Sequence, residues 1–532
     1  MKIKNKIWFG SLFFISLLIT ALGQPDRNFI FPLIAYIFGY AIFVRLLLEV
    51  KSTTRRIGIA FLWYSGVELF QLNWLATTHY HGFGIVVVYL VIALSIALQF
   101  AVVISFLPID KSLSVTRSLV IASIWTIVEF SRLFYLCGFP FNTIGLILTF
   151  NTLTLQLVGF FGIYGLTFFV IFTSIIGGWV FKEPTCNKLI LWLTVLAFPF
   201  IFGYAYIKCY ENKNNDIKTI DVALIQTGLF SEEKWPFENM KYLFIHPIKQ
   251  WERIFEFLKN TGIDKFDLIV LPEVAVTGNL NEVICCLDDE KITNSSMTQK
   301  LANLYSSEIV IGLLDFDHNS AYHFKPLKKF IDKYDKRVLV PMAEYLPFPI
   351  GRSFLEKFGI NSWFSPGIEA KVFDGKVKMA PSICYEEGFG GLIREGRAQG
   401  AEMLINLTND VWFPNSRLPI EHFNIGRVRA VENGVPLLRA CNNGITAAVD
   451  SFGRTCAIMK NIDCNGKLIC GALTSKIACN SHNTLFTIVG DSLIIGISLF
   501  IICCGVVRKN RSCFCIFKSI CNAQSISRCF TF

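Results

Sequence analysis

Eight separate apolar stretches constrain the fold of this chain more than any other feature of its sequence. A helix needs about 20 predominantly apolar residues to cross the hydrocarbon core of a bilayer. Seven of the stretches lie before residue 210, and the eighth follows a long polar segment. They cover approximately residues 7–22, 31–48, 57–75, 85–107, 118–134, 155–181, 189–207 and 488–507. The sequence therefore predicts an α-helical transmembrane bundle of about eight spans.

The composition agrees with a membrane protein that also has a soluble part. Hydrophobic residues make up 53% of the chain and charged residues 17%, which is too apolar for one ordinary soluble domain. The net charge of +10 is spread over small basic clusters between apolar runs, so nucleic-acid binding is not expected. The first stretch could be a cleaved signal peptide, but further spans follow at once, which favours an uncleaved helix.

Lysine and arginine residues occur in every second loop, and this pattern predicts the orientation of the bundle. Loops with an excess of these residues stay in the cytoplasm. The loops between them are poor in basic residues, and 77–82 has none. Both termini are therefore predicted to be cytoplasmic, and about residues 208–485 to face outward. A miscounted span would reverse the later part, but the basic tail independently places the C-terminus inside. The basic loop residues are Lys2, Lys4, Lys6, Lys51, Arg55, Arg56, Lys111, Arg117, Lys182, Lys188, Arg508, Lys509 and Arg511.

The outward segment consists of short strands rich in Val, Ile and Leu that alternate with helical stretches. The strands include TIDVALIQTG, FDLIVLPE, EIVIGLLDF, VKMAPSICYE, AEMLINLTND and GITAAVDSFG. Continuous apolar runs predict strands covered on both faces, and HFNIGRVRAVENG predicts a helix that stops at its glycine. We therefore predict four parts: a transmembrane bundle of about seven helices (1–210), an extracytoplasmic α/β domain (217–478), a C-terminal transmembrane helix (486–507) and a basic, Cys-containing cytoplasmic tail (508–532).

Three strand ends in the outward segment carry reactive groups, and strand ends are where α/β folds usually place their chemistry. Glu273 follows FDLIVLP, Lys336 lies in KYDKRVLV, and Cys384 ends VKMAPSIC. Taken singly, Glu273 could cap a helix, Lys336 could be a solvated charge, and Cys384 could be inert packing. Together they suffice for acyl transfer through a thioester. A carboxylate takes the thiol proton, and an ammonium stabilises the thiolate and then the oxyanion.

The remaining cysteines do not point to a disulfide scaffold or a metal site. The chain has 17 cysteines, an odd number, and they lack the regular spacing of a small disulfide-rich protein. No HExxH motif and no Cys/His quartet occurs in the sequence, so no structural zinc is predicted.

The reactive segments together resemble the carbon–nitrogen hydrolase (nitrilase) superfamily, whose mark is a Glu-Lys-Cys triad on an αββα sandwich. Such a domain, set between seven predicted helices and a final one, is similar to the membrane branch of that superfamily, the apolipoprotein N-acyltransferases. LPEVAVTG, YDKRVLVPMAEYLPF and ICYEEGF resemble the family's Glu, Lys and Cys segments, and NLTNDVWF and CGFPF resemble two others. The resemblance covers nearly the whole chain.

The resemblance implies a two-step reaction that needs no cofactor. An acyl chain would move from a membrane phospholipid to the Cys384 thiol, with Glu273 as base and Lys336 as stabiliser of the thiolate and oxyanion. The N-terminal amine of a diacylglyceryl-cysteine on an apolipoprotein would then attack the thioester. The implied location is the bacterial cell (inner) membrane, with the catalytic domain on its periplasmic or outer face. Exposing an acyl chain to water costs about 0.8 kcal/mol per methylene, so a thiol at the bilayer surface is favoured.

The resemblance also implies supporting roles for six further residues. Glu344 would orient Lys336 or the substrate amine, and Tyr385 and Glu386 would shape the pocket beside the thiol. For the three aromatic residues named next, ordinary core packing is the alternative. The implied substrate-binding residues are Trp235, near the acyl chain or head group, and Trp412 and Phe413, on a mobile loop that meets lipid.

Five residues depart from the family's pattern without belonging to the triad. They replace residues that are usually Ser or Thr, Asn, or Gly, so they bear on loop mobility and substrate preference rather than on reaction class. A proline in the loop after NDVWF would also stiffen it. These residues are Val274, His323, Ala343, Pro414 and Cys441.

Two other functions stay open from the sequence alone. A membrane-anchored nitrilase-type amidase would use the same triad but let water attack the thioester formed from a small amide. The membrane architecture and the Trp412 loop argue against it. A transporter or scaffold with an inactive domain would need ionisable residues facing a path through its spans. Glu68, Glu129 and Arg132 are candidates, but they are few and suggest no relay.

Overall fold

The structure is a computed structural model of the chain. It describes residues 3–25, 29–107, 113–135, 137–211, 218–235, 242–287, 290–328, 331–346, 364–413, 415–460 and 468–509. Pro414 and the predicted tail beyond Lys509 lie outside the described residues.

A bundle of α-helices forms the N-terminal part of the protein. Ser52 and Ser114 cap two of the helices, because each side chain accepts a hydrogen bond from the backbone N–H three residues further on. All seven apolar stretches predicted in this part are helical. The helices are Ile3–Ala21, Ile30–Ile34, Tyr40–Leu47, Thr53–Gln71, Thr78–His81, Gly84–Ile104, Val115–Ser131, Thr152–Leu155, Val158–Lys182 and Cys186–Glu211, with a π-helical turn at Ala35–Gly39 and 3-10 turns at Asn73–Ala76 and Ile144–Phe150.

Several of these helices have the length and apolar character of membrane spans. Within the described ranges, four segments meet both requirements: Ile30–Leu47, Gly84–Ile104, Val158–Lys182 and Cys186–Glu211. Two further apolar helices, Ile7–Ala21 and Ser492–Gly505, are shorter. The protein is thus a membrane protein with an apolar helical bundle, and the total of eight spans stays a prediction.

The chain then enters an α/β part, in which the described residues form fourteen strands. They are β1 Thr219–Gln226, β2 Leu268–Val270, β3 Val283–Leu287, β4 Glu290–Thr293, β5 Glu308–Asp315, β6 His318–Phe324, β7 Asp332–Asp335, β8 Phe373–Asp374, β9 Lys378–Ile383, β10 Met403–Thr408, β11 Leu437–Cys441, β12 Thr446–Val449, β13 Thr455–Met459 and β14 Gly471–Ala478. The six strands predicted from apolar runs correspond to β1, β2, β5, β9, β10 and β12, and each is confirmed.

The strands form two six-stranded sheets and one hairpin. The first sheet has the order β14-β1-β2-β5-β6-β7, the second has the order β13-β12-β11-β10-β9-β8, and β3 pairs with β4. The central strands β1, β2 and β5 are parallel, as are β9, β10 and β11, and the outer strands pair antiparallel. The carboxyl ends of the central strands of each sheet therefore meet at one edge, where reactive side chains can converge.

Helices cover the outer face of each sheet and complete an αββα arrangement. Side chains of both sheets share one buried core. Helices Pro247–Lys259 and Asn294–Leu304 pack on the first sheet, and helices Gly390–Ala398 and Leu418–Asn433 pack on the second. The helix predicted to stop at a glycine does so, since Leu418–Asn433 ends at Gly434, which has φ 60°. A nitrilase-like α/β domain is thus present.

Helix Leu418–Asn433 also belongs to the core of the bundle. Phe423 packs against the second sheet, whereas Ile425 and Val428 pack with the membrane helices. Two of its carboxylates reach the bundle backbone: Glu421 Oε1 accepts the N–H of Asn142 at 2.6 Å, and Glu432 Oε1 accepts that of Ile163 at 3.0 Å. This helix therefore joins the α/β part to the bundle.

The C-terminal helices return to the bundle. They are Leu485–Val489 and Ser492–Lys509. Gly162 breaks the helix Val158–Lys182 with φ 64°, and a Cβ there would lie 2.6 Å from Phe486. The glycine is required because the ring of the C-terminal segment lies in the break.

Candidate active site

Glu273, Lys336 and Glu344 form a buried cluster between the two sheets. Glu273 follows β2 and Lys336 follows β7 directly. Lys336 Nζ donates to Glu273 Oε1 at 3.3 Å and to Glu344 Oε1 at 2.8 Å. The three side chains are 6%, 1% and 9% exposed. One cation thus lies between two carboxylates in a region that excludes most water.

Cys384 lies at the start of a 3-10 turn that begins where β9 ends. The turn spans Cys384–Gly388, and Cys384 has φ 50°. A non-glycine residue in this left-handed region costs about 1–3 kcal/mol and persists only when its surroundings hold it there. The backbone therefore turns sharply at the residue that carries the thiol.

Glu386 holds this turn and the lysine segment together. Its Oε2 accepts the N–H of Ile383 at 2.7 Å. Its Oε1 accepts the N–H of Arg337 at 2.6 Å and the hydroxyl of Tyr334 at 2.8 Å, and lies 3.2 Å from the N of Val338. The resemblance implied that Glu386 shapes the pocket. Its contacts lie with the backbone next to Cys384 and Lys336, and its role in the pocket stays a prediction.

Asn319 is a residue of the cluster that the sequence did not single out. Its Nδ2 donates to Glu273 Oε1 at 2.7 Å and to Glu344 Oε1 at 3.2 Å. Its backbone carbonyl accepts the N–H of Lys336 at 2.8 Å. It lies near the start of β6 and is 3% exposed. The sequence carries no signal for it, because β6 also contains the polar residues His318 and Ser320 beside Asn319.

The charges of the cluster act on the Cys384 thiol. Burial and the negative charge of Glu273 raise the pKa of Cys384, and Lys336 only partly opposes this. Burial alone would lower the pKa of Lys336, but the charges of Glu273 and Glu344 outweigh it and raise that pKa. The resting site therefore holds a charged lysine beside a protonated thiol.

A second buried cluster contacts the backbone of Cys384. His422 Nε2 lies 3.2 Å from the carbonyl oxygen of Cys384, and His422 Nδ1 lies 2.8 Å from Asp410 Oδ1. Arg439 joins Glu387 at 3.2 Å and Asp410 at 3.3 Å. Burial would raise the pKa of Asp410, but His422 and Arg439 outweigh it and lower that pKa. These four side chains were also missed by the sequence reasoning.

Tyr385 connects the cysteine turn to the bundle. Its hydroxyl donates to the carbonyl of Gly138 at 3.0 Å. Its ring lies 5.8 Å from that of Phe141 and 5.3 Å from that of Phe389. The CGFPF segment singled out in the sequence therefore lies directly against the residue after Cys384.

The three aromatic residues expected to bind substrate occupy the rim rather than the buried cluster. Trp235 is half-buried directly after the short helix Ser231–Lys234. Trp412 is 37% exposed, and its ring lies 5.7 Å from that of Tyr80. The ring of Phe413 lies 5.0 Å from that of Trp74. Trp412 and Phe413 therefore contact the loops of the bundle.

Four of the departures from the family's pattern fall at described positions. Val274 follows Glu273 with φ 43°, and Ala343 precedes Glu344 in a tight turn. Cys441 is buried with its sulfur 3.7 Å from Asp410 Oδ2. His323 lies on β6 between Glu308 and Asp332, at 3.3 Å from each. Among the residues that the structure describes, no group of three or more His, Cys, Asp or Glu side chains could hold a metal ion.

Comparison with known proteins adds a family assignment for both halves. Residues 8–176 match the apolipoprotein N-acyltransferase N-terminal domain, and residues 246–497 match the carbon–nitrogen hydrolase family. The apolipoprotein N-acyltransferase of Chlamydia caviae is 30% identical over 529 residues, covering 92% of this chain and 96% of that protein. The Chlamydia trachomatis protein of the same name is 29% identical, covering 93% and 96%. The Haemophilus ducreyi protein of that name is 29% identical, covering 84% and 86%.

Proposed function

The chain belongs to the apolipoprotein N-acyltransferase family and is an acyltransferase, and we propose that it transfers a fatty acyl chain from a membrane phospholipid to the N-terminal amine of diacylglyceryl-cysteine in apolipoproteins. Cys384 carries the chain as a thioester between the two steps. The observation that carries this proposal is Lys336, held between Glu273 and Glu344 at the edge where the Cys384 turn begins.

The first step is attack of the thiol on an ester carbonyl of the phospholipid. Glu273 takes the thiol proton as the C–S bond forms, and the carbonyl oxygen becomes an oxyanion that the Lys336 ammonium stabilises. The ester C–O bond then breaks, and the leaving lysophospholipid oxygen takes the proton from Glu273. The raised pKa of Cys384 favours this coupled transfer, because little thiolate exists before substrate arrives.

The second step is attack of the neutral amine of diacylglyceryl-cysteine on the thioester. Glu273 takes a proton from the nitrogen as the C–N bond forms, and Lys336 again stabilises the oxyanion. The C–S bond breaks, and the thiolate of Cys384 recovers the proton from Glu273. An amide product and the starting enzyme result, with every proton accounted for.

The membrane surroundings support a lipid acyl donor. Helix Leu418–Asn433 is buried against both the sheet and the bundle, and Tyr385 contacts the bundle loop at Gly138. The thiol is thus tied to helices that meet lipid. An acyl chain that stays in the bilayer avoids about 0.8 kcal/mol per methylene exposed to water.

We also propose that the chain crosses the inner membrane eight times with both termini in the cytoplasm. The α/β domain then lies on the outer face of that membrane. The alternation of basic loops supports this orientation. Alkaline phosphatase fused after Glu211 should be active, and the same enzyme fused after Lys509 should be inactive. The reverse pattern would overturn the orientation while leaving the chemistry intact.

The test of function uses the purified membrane protein, a phospholipid with a labelled acyl chain, and a diacylated lipopeptide with a free N-terminal amine. Mass spectrometry should find the labelled acyl group on the Cys384 peptide and, after lipopeptide is added, on the lipopeptide nitrogen. Cys384→Ser should give neither the acyl thioester nor the labelled lipopeptide. Ammonia release from small amides without any acyl-enzyme from phospholipid would overturn the proposal in favour of an amidase.

A further inference from the structure

Lys234 is a buried lysine that the two-step mechanism does not use. It is the last residue of the helix Ser231–Lys234 and is 1% exposed. Its Nζ donates to the carbonyl oxygen of Val274 at 2.6 Å. Burying an ammonium against a carbonyl instead of a carboxylate is costly. Burial accordingly lowers the pKa of Lys234 to about 7, although the charges of Glu273 and Cys441 act in the opposite direction.

The carbonyl that Lys234 contacts belongs to the residue directly after Glu273. Val274 has φ 43°, a conformation that is a clear outlier for a β-branched residue and costs about 1–3 kcal/mol. Such a turn persists only where its neighbours hold it. Because Glu273 forms the first half of this turn, any relaxation of Val274 would swing the Glu273 carboxylate away from Lys336.

The opposite side of the turn is fixed by the backbone of β5. Gly312 donates to the carbonyl of Pro272 at 3.2 Å and accepts the N–H of Ala275 at 2.9 Å. A Cβ at Gly312 would come within 2.7 Å of the Glu273 Cα. The turn is therefore held between a strand backbone on one side and the Lys234 side chain on the other.

A second contact joins the Lys234 segment to the same loop. The hydroxyl of Thr277 donates to the carbonyl of Lys234 at 3.0 Å, and the Thr277 N–H donates to Gln250 Oε1 at 3.0 Å. The residue after Lys234 is Trp235, at the rim of the site. A displacement of the Trp235 segment would thus be transmitted through Lys234 to Val274.

We propose that Lys234 is a positioning residue, which holds the strained turn at Val274 and so couples the Trp235 loop to the base Glu273. This inference rests on the proposed role of Glu273 in acyl transfer.

The test compares Lys234→Met, which keeps the aliphatic volume but removes the N–H donor, with Lys234→Gln, which keeps a neutral donor, and Lys234→Ala. Single-turnover formation of the labelled Cys384 thioester is followed in each. We expect Lys234→Met to slow this step by roughly 10- to 100-fold, the scale set by misplacing a catalytic group by about 1 Å. Lys234→Gln should retain more of the rate. Lys249→Met, at an exposed lysine of the same domain, is the matched control and should be unchanged.

Chemical rescue separates positioning from simple destabilisation. In Lys234→Ala, small alkylamines such as propylamine should restore at least several-fold of the lost rate, and they should not rescue Lys234→Met, whose side chain fills the space. A wild-type rate in Lys234→Met would overturn the inference, as would a lost rate that no amine restores while the thermal midpoint falls. If the wild-type protein itself forms no thioester, the proposed function fails first and the inference with it.

Discussion

Replacing Glu386 with Gln should loosen the position of Cys384 relative to Lys336, although Gln and Glu have nearly the same shape. The carboxylate accepts bonds from Ile383, Arg337 and Tyr334, with Val338 also in reach. An amide has one accepting oxygen and one donating nitrogen. If its oxygen keeps the Arg337 side, its NH2 faces the N–H of Ile383, and two donors meet in a buried site.

The cost can be worked out from these contacts. A buried donor left without an acceptor costs about 1–3 kcal/mol, and the bonds that remain lose the extra strength of a charged acceptor. Burial raises the pKa of Glu386, so the neutral amide recovers part of the desolvation cost. We therefore expect a net loss of about 2–4 kcal/mol, or roughly 5–15 °C in the thermal midpoint of a domain of this size.

The effect on catalysis should be similar in size to the effect on stability. Ile383 precedes the left-handed Cys384, and Arg337 follows Lys336, so the lost bond loosens the relative position of nucleophile and cation. A displacement of about 1 Å is expected to slow thioester formation about 100-fold, which equals about 2.7 kcal/mol at 1.36 kcal/mol per tenfold.

The assay combines thermal unfolding in detergent with single-turnover labelling of Cys384. The control is Glu395→Gln, at a carboxylate that is 48% exposed and pairs with the Arg337 side chain at 2.8 Å. It should lower the free energy of unfolding by less than about 1 kcal/mol and leave the rate unchanged. A Glu386→Gln protein with wild-type midpoint and rate would refute the assignment of Glu386 as the link between the two segments.

Three further predictions concern charges near the site. Lys336→Met should abolish thioester formation and lower the thermal midpoint, because two buried carboxylates lose their cation; a folded, active variant would contradict the role of Lys336. Alkylation of Cys384 by iodoacetamide, quantified by peptide mass spectrometry, should stay slow at pH 7–8 and rise above pH 9, because burial and Glu273 raise the pKa of this thiol; a plateau below pH 7 would contradict it. Burial lowers the pKa of Lys234 from its ordinary value of 10.5 to about 7 in the folded protein, so between these pH values the unfolded chain binds one more proton than the folded chain. The thermal midpoint should therefore rise with pH from 7 toward 10, and this slope should be smaller in Lys234→Met.

The strands that carry the chemistry could be predicted because they are buried on both faces. β2, β9 and β10 appear in the sequence as continuous apolar runs, and their ends mark Glu273 and Cys384. Lys336 is different, since β7 is short and polar, and taken alone this lysine could have been a solvated charge. Its position depends on antiparallel pairing with β6, where Ser320 faces Asp335.

The supporting residues could not be predicted because their partners are distant in sequence. Asn319 meets Glu273 across 46 positions, and Glu386 meets Arg337 across 49. Sequence periodicity reports which face of an element is buried and not what it is buried against. Helix Leu418–Asn433 adds a further difficulty, because it is buried on nearly all sides between the sheet and the bundle. Its buried carboxylates therefore look like surface residues in the sequence.

Two carboxylates inside the bundle form hydrogen bonds with the loop that lies beside Tyr385. Glu68 and Glu129 were candidates for a transport path, but each holds the loop that leads to the active site. Glu68 Oε2 accepts Asn142 Nδ2 at 2.8 Å, and Glu129 Oε1 accepts the N–H of Ile144 at 3.0 Å. Asn142 also donates its N–H to Glu421 of the catalytic half. The helices that carry these charges, Thr53–Gln71 and Val115–Ser131, are not among the four described segments that are both long and apolar enough to cross a membrane. Their polar groups have partners in the loop beside Tyr385, so we interpret them as anchors that hold the thiol at a defined depth beside the bilayer.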